Sequence, residues 1–240
     1  MRSTLFAPLL EIALNSTMES MARTFATAFR SPRLVYRSIE DTDADRDMIA
    51  TTLEDPVTHG FRHSGMFAPG SRTSSREIIG RITKSALLAV LICLPPPDSS
   101  NPSDGPGTEL ARAQAKGVPI GTMVLFPGKH AIARMAFISL ALQEKYQNKG
   151  YGAEAINWLL DWGFRFGGLH RIEIGAAAYN DRAVQVYERK LGFKREGVRR
   201  EAIWMDRKWH DIVEFAMLEW EWEELRGRRQ LEGNSSESGN

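Results

Sequence analysis

Apolar and polar positions alternate along Arg33-Leu-Val-Tyr-Arg-Ser-Ile-Glu40, the period of a half-buried strand. Asp41-Thr-Asp-Ala-Asp changes the pattern. Acids crowd a first helical turn, where the helix dipole favours them, and predict a helix of about ten residues. Asp55-Pro56 stops it. Pro56, Gly60, Gly65, Pro69 and Gly70 predict a loop over 56–72, and Ser74 to Lys84 a second helix. The apolar run Ala86–Leu94 reads as a buried strand. Pro95 to Gly107 is rich in Pro, Ser and Gly without an apolar anchor, which predicts a mobile insertion. A short helical turn is expected over Thr108–Lys116.

Val118–Phe126 and Ala131–Leu142 are two further strand patterns. Pro127-Gly-Lys-His130 between them predicts a tight hairpin turn. Tyr151 to Phe166 has helical spacing. Its polar residues Glu154, Asn157, Asp161 and Arg165 form one narrow stripe, so the rest of the helix should be buried. Trp158 and Trp162 are read as core. Gly167-Gly168 ends this helix and His170–Ala177 is the next strand, with Ile172 and Ile174 on one face and Glu173 on the other. Asn180-Asp181 caps a helix through about Lys190, closed by Gly192. Phe193–Glu196 begins an edge strand, and Trp209–Trp220 supplies the last one. Glu221–Arg229 continues as a turn of helix, and Gly233–Asn240 should be disordered. The strand–helix–strand unit over 131–177 requires a parallel pair, whereas the hairpins require antiparallel ones. The pattern therefore predicts an α/β fold. Its sheet is mixed and largely antiparallel, with about six to seven strands and helices on both faces.

Composition narrows the function. The 240 residues suffice for one core, and a formal net charge of +1 gives no field for nucleic acid or a membrane surface. No apolar run reaches the ~20 residues that span a bilayer. Cys93 is the one cysteine, which excludes an intrachain disulfide and a cysteine zinc site. It lies in an apolar strand and reads as core. His59 and His63 are four apart, but Gly60 intervenes and no acid or cysteine cluster follows, so no metal is expected. Residues 1–32 read as a flexible extension. Arg2, Arg23 and Arg30 with many Ser and Thr raise a mitochondrial presequence, against which Glu11 and Glu19 argue. The cytoplasm is the expected location. The domain is expected over 33–222, with the insertion at 95–107 and a tail at 223–240.

The informative stretch is Leu140-Ala-Leu-Gln-Glu-Lys-Tyr-Gln-Asn-Lys-Gly-Tyr-Gly-Ala153. Gln147, Gly150 and Gly152 sit where an apolar run meets a helix. The first turn of a helix leaves backbone N–H groups without intrahelical partners, and the positive end of the dipole suits an anion there. Glycine permits close approach. By itself this is either a pyrophosphate cradle or a plain strand-to-helix turn.

A second pattern follows at Asn180-x-x-Ala183-x-x-x-Tyr187-x-x-x-x-Gly192-Phe193. Together with Gln147-x-x-Gly150-x-Gly152 and the strand order, it resembles the GNAT superfamily of acetyl-CoA-dependent N-acetyltransferases. The resemblance runs from about Arg33 to Trp222 and is most specific over 140–193. Gly192–Glu201 and Trp209–Leu218 are similar to the branch of ribosomal-protein and small-amine acetyltransferases. The N-terminal third matches only in layout. The resemblance implies acetyl-CoA as co-substrate and a sheet splayed between its fourth and fifth strands. It places the carrier pyrophosphate on Gln147, Asn148, Lys149, Gly150, Tyr151 and Gly152. Pantetheine would run along Leu140, Ala141 and Leu142, with a main-chain N–H near Leu142 polarising the carbonyl. Many relatives carry a proline two residues after the position of Leu142, where this chain has Glu144; the bulge geometry there departs from the pattern.

Tyr187 would protonate the leaving thiolate or pack beneath the cofactor. Asn180 would orient the pantetheine arm, cap its helix, or do both. Glu173 is either a general base or a member of a structural ion pair, with Glu201, Asp206 and Asp211 as remoter bases. The acceptor pocket is expected in 55–72 and 195–212, where His59, Arg62, His63, Arg199, Arg200, Glu201 and Asp206 select no charge class. The expected partners are acetyl-CoA and an amine-bearing small molecule or peptide, in a monomer or homodimer. The alternative is a catalytically silent CoA-binding sensor or scaffold. A dinucleotide-binding oxidoreductase is excluded, because no G-x-G-x-x-G with an acid about twenty residues on is present.

Overall fold

The computed structural model describes residues 18–62, 72–95 and 117–227. The chain begins there with a helix over 18–26 (α1). Strand β1 (Val35–Ser38) follows, then helices α2 (Asp43–Glu54), α3 (Pro56–Arg62) and α4 (Arg72–Ser85). Strands β2 (Leu88–Leu94), β3 (Val118–Pro127) and β4 (Met135–Leu142) lead to helix α5 (Tyr151–Arg165). Strand β5 (Arg171–Ala177), the short helix α6 (Asp181–Gln185) and a π-helical turn Val186–Leu191 come next. The hairpin β6 (Lys194–Met205) and β7 (Lys208–Leu218) precedes a last helix over 219–227 (α7). The expected insertion at 95–107, apart from Pro95, the turn at 108–116, His63 and the tail beyond 227 lie outside the described residues. Among those described, no helix is long and apolar enough to cross a membrane.

The seven strands form one sheet in the order β1-β2-β3-β4-β5-β7-β6. Every pairing is antiparallel except β4–β5. Alternate residues of β2 feed two cores. Val90 and Ile92 join the larger one, with Ile156, Leu159 and Leu160 of α5 and Phe215 of β7. Leu91 and Cys93 join the smaller, with Met48 and Ile49 of α2 and Ile79 and Ile82 of α4. Helices thus cover both faces, as the period-two pattern requires. Trp158 stacks on Tyr36 with centroids 3.7 Å apart, tying α5 to β1.

Three elements differ from the sequence pattern. The loop expected over 56–72 is helical over Pro56–Arg62. Proline at the first helical position sacrifices no hydrogen bond, and Asp55 caps the turn by accepting from the Thr58 N–H at 2.8 Å. The hairpin between β3 and β4 is not a tight turn at 127–130. A 3-10 turn at Ala131–Ala133 and left-handed Arg134 (φ 47°) delay β4 to Met135. The helix expected through Lys190 changes to a π turn at Val186.

The polar stripe of α5 is the seam that receives both ends of the described chain. Glu154 accepts from Ser31 Oγ (2.7 Å) and from the Arg33 N–H (2.8 Å), and Trp158 Nε1 donates to the Ala28 carbonyl at 2.8 Å. Asp161 accepts from Trp222 Nε1 at 2.9 Å and pairs with Arg226 of α7.

Candidate functional site

The β4–β5 pairing holds only from Met135↔Arg171 to Phe137↔Glu173, and beyond it the strands part. On its other side β4 remains paired with β3 as far as Leu142↔Gly121. The Gln143 N–H donates to the Ile120 carbonyl at 3.0 Å, and Gly128 N–H to the Met135 carbonyl at 2.8 Å. Because antiparallel bonding alternates, the odd-numbered residues of β4 bond to β3. Leu140 and Leu142 therefore turn their N–H and C=O groups into the opening. Gly121 allows the close approach behind them: a Cβ there would lie 2.3 Å from the Ala141 carbonyl oxygen.

The turn after β4 is built by two left-handed residues, Asn148 (φ 60°) and Gly150 (φ 81°). The first α5 hydrogen bond runs from the Glu154 N–H to the Gly150 carbonyl, so the N–H groups of 151–153 have no intrahelical partner. A Cβ on Gly152 would meet only Leu142 Cδ1 at 3.6 Å and Leu140 Cδ2 at 3.8 Å, so room remains over it. Gln147 is a bracket within the protein. Its Nε2 donates to the Leu142 carbonyl (3.0 Å) and to Thr58 Oγ1 (3.1 Å), and Arg182 Nη2 donates to its Oε1 at 2.9 Å. Arg182 Nη1 also donates to Asn148 Oδ1 at 2.7 Å. These bonds join β4, α3 and α6 around one cleft. Glu144 opens the 3-10 turn Glu144–Tyr146 at the position where many relatives carry proline.

That cleft is a cavity of about 340 Å³. Eight of the ten candidate donor residues line it: Leu140, Ala141, Leu142, Gln147, Asn148, Gly150, Gly152 and Asn180. Lys149 and Tyr151 do not line it: Arg33 donates to the Lys149 carbonyl at 3.0 Å and lies 4.7 Å over the Tyr151 ring, and the Lys149 ammonium lies 5.8 Å over the Tyr146 ring. Asn180 caps α6, its Oδ1 accepting from the Ala183 N–H at 3.2 Å, and lines the cavity as well. The residue types suit a long anionic thioester: an open strand edge for amide groups, free N–H groups at a glycine turn, and Lys190 and Arg182 on the wall.

A second cavity of about 370 Å³ lies on the other side of the opening, lined by Phe137, Glu173, Glu196, Arg199 and Glu214 among others. Phe61, Leu140 and Tyr187 line both cavities, so Tyr187 stands where they meet. The π turn places it there. The extra residue directs both the Gly192 and Phe193 N–H groups to the Tyr187 carbonyl, and Gly192 closes the turn at φ 84°. Its ring packs against Phe215 and Phe193, 6.0 and 6.4 Å between centroids. Burial pushes the hydroxyl up to about 12, with Arg182 pulling weakly the other way. The hydroxyl is thus protonated across the neutral range.

Glu173 lines the second cavity, but Arg171 Nε donates to its Oε1 at 2.7 Å. Arg171 also grips Glu196, whose carboxyl it holds below the usual carboxylate range. Glu173, read as a general base or a member of a structural ion pair, is held in an ion pair by Arg171. The remoter acids are not brought there. Asp211 accepts from the Glu201 N–H at 2.8 Å, and Asp206 with Arg207 forms the left-handed two-residue turn between β6 and β7. Arg199 reaches the cavity, paired with Glu214 at 2.7 Å; Arg200 and His59 are not among the lining residues of either cavity. Cys93 is fully buried in the smaller core, its thiol pushed up to about 11 by burial. Sequence reasoning missed Arg182, Lys190, Thr58 and Gly121. Only Gly121 left a signal, a glycine inside a strand pattern.

Residues 92–193 match the model of the Acetyltransferase (GNAT) family. A probable N-acetyltransferase of Bacillus subtilis (strain 168), YjcK, is 34% identical over 99 residues, 41% of this chain and 54% of that protein. A putative ribosomal N-acetyltransferase of the same organism, YdaF, is 32% identical over 92 residues, 38% of this chain and 50% of that protein. The chain thus spans about half the length of the curated relatives it matches. The crystal structure of spermidine N-acetyltransferase from Vibrio cholerae, in complex with CoA and spermine, superposes with a TM-score of 0.63. It is 21% identical and covers 80% of this chain and 99% of its own, which shows a shared fold. Residues 92–193 are thus similar to the GNAT acetyltransferases, and the chain shares the fold of the Vibrio cholerae enzyme.

Proposed function

We propose that the protein transfers the acetyl group of acetyl-CoA to a primary amine by direct attack, with both substrates bound together. The observation that carries this reading is the pair of cavities meeting at Tyr187 across the opened β4–β5 edge. Acetyl-CoA supplies the activated acyl group. The outward N–H and C=O of Leu140 hold a pantetheine amide as an added strand would, while the Leu142 carbonyl is taken by Gln147 and Thr58. The Leu142 N–H faces the oxygen that gains charge during attack and stabilises it. Tyr187, protonated at working pH, gives its proton to the departing thiolate. Asn180 fixes the start of α6 beside the pantetheine arm. No covalent acyl-enzyme forms, since the one thiol, Cys93, is buried in a separate core.

The acceptor side carries Glu173, Glu196 and Glu214 against Arg199 and the Arg171 that holds the first two, one acid in excess, with Phe61 and Phe137 as apolar walls. This favours an acceptor that brings positive charge on an apolar body. Spermidine, which the Vibrio cholerae structure is named for, and basic N-terminal peptides are the first to try. With Glu173 held by Arg171, the amine arrives neutral and its proton leaves to water. The test is thiol release from acetyl-CoA across a panel of amines. Acceptor-dependent release is expected; CoA binding with no release on any acceptor would mark a silent sensor instead.

A further inference from the structure

A third cavity, of about 570 Å³, lies behind the glycine turn, between residues 30–33, the polar stripe of α5 and α7. It shares Gly150, Ala153 and Lys190 with the donor cavity, so the two adjoin at the turn. Two cations from distant parts of the chain converge at their junction. From the point a Cβ on Gly150 would occupy, Arg33 Nη2 is 3.2 Å away and Lys190 Nζ 3.9 Å.

The arginine is fixed in that pose. Its Nε donates to Glu154 at 2.7 Å, its Nη1 to the Lys149 carbonyl at 3.0 Å, and its plane lies over Tyr151. Nη2 is the donor left over. Lys190 has no salt-bridge partner among the described residues. Glu154 offsets the charge of Arg33 on its Nε side and Asp161 is engaged by Arg226 and Trp222, which leaves Arg33 Nη2 and the Lys190 ammonium facing Gly150. An ammonium and a guanidinium N–H side by side at a residue with no side chain offer an anion a charge-assisted bond from each.

We propose that this junction binds a phosphomonoester, the ribose 3′-phosphate of the donor, with Arg33 and Lys190 as its ligands. This rests on the donor reading of the neighbouring cavity. The pyrophosphate occupies the inner face of the turn, against the backbone of 150–153. The 3′-phosphate hangs one ribose further on, and its charge of nearly two at neutral pH matches two cations. Residues 31–33, ahead of β1, thereby become part of the donor site.

The experiment is calorimetric titration of the full chain with CoA and with 3′-dephospho-CoA, for the wild type, Lys190→Gln and Arg33→Gln. The wild type should prefer CoA by at least about tenfold, the difference expected for charge-assisted bonds to a phosphate. Both variants should bring the ratio towards one, CoA affinity falling by more than dephospho-CoA affinity. Lys190→Gln carries the test even where Arg33→Gln unfolds through loss of the Glu154 contact. Equal wild-type affinity for the two thiols, or an unchanged ratio in Lys190→Gln, overturns this inference and leaves the donor reading standing. Failure of both thiols to bind overturns both.

Discussion

The two sides of the opened β4–β5 edge, proposed as donor and acceptor sites, are built by different means. The donor side is made of backbone. Leu140 and Leu142 offer a strand edge, Gly150 and Gly152 a helix start, and nearly all of it falls within 140–153 and 180–190. The acceptor side is made of side chains brought from α3, β4, β5, β6 and β7: Phe61, Phe137, Glu173, Arg199 and Glu214. A backbone site needs glycine and capping residues at fixed spacing, and so leaves a pattern that can be read. A side-chain site needs only convergence in space, and leaves none.

The largest effect that tests this contrast is at Gly150. Gly150→Glu puts an acid into the cradle at φ 81°, and a side chain there is strained as well. CoA affinity should fall at least about a hundredfold by calorimetry. Unchanged affinity would remove the donor side from the turn. Next is Tyr187→Phe, for which a loss of about ten- to a hundredfold in kcat is expected, with KM for acetyl-CoA within about twofold. Equal turnover would return Tyr187 to packing. Glu214→Gln acts on the acceptor side alone. It should raise KM for a cationic acceptor about fivefold and leave KM for acetyl-CoA unmoved. The smallest effect should be at Glu173, where Glu173→Gln is expected to lower kcat by less than about threefold, because Arg171 already occupies this carboxylate. A loss of a hundredfold would make it the base.

The pH profile separates the two sides again. The reaction as drawn needs a neutral amine, so kcat/KM rises with pH towards the acceptor's own pKa. No falling limb is expected until the approach to pH 12, where Tyr187 loses its proton. For stability the sign is opposite at acid pH. The Glu196 carboxyl is depressed by Arg171, so the pair contributes fully above the ordinary carboxylate pKa. That contribution is lost as pH falls through the depressed value.

Much of the sheet was legible because period-two runs such as Ala86–Leu94 have few alternatives. Residues 56–62 were not, since Gly60 and Pro56 resemble loop residues until Asp55 is seen capping a turn that begins at proline. The π turn was hidden because Asn180 and Gly192 bound a helix whatever its pitch. In the donor cavity, Asn180 and the glycines were legible from their spacing. Arg182 was not, because an arginine in a first helical turn has no reason in sequence to reach back to Gln147 and Asn148. Glu173 was read with two fates, and its neighbour Arg171 supplies the one that sequence distance alone does not show.

The proposed reaction has both substrates bound when the acetyl group moves. Initial velocities with acetyl-CoA and the acceptor varied together test this most directly. Intersecting double-reciprocal lines are expected; parallel lines, the signature of an acylated enzyme that releases CoA before the amine binds, would contradict it.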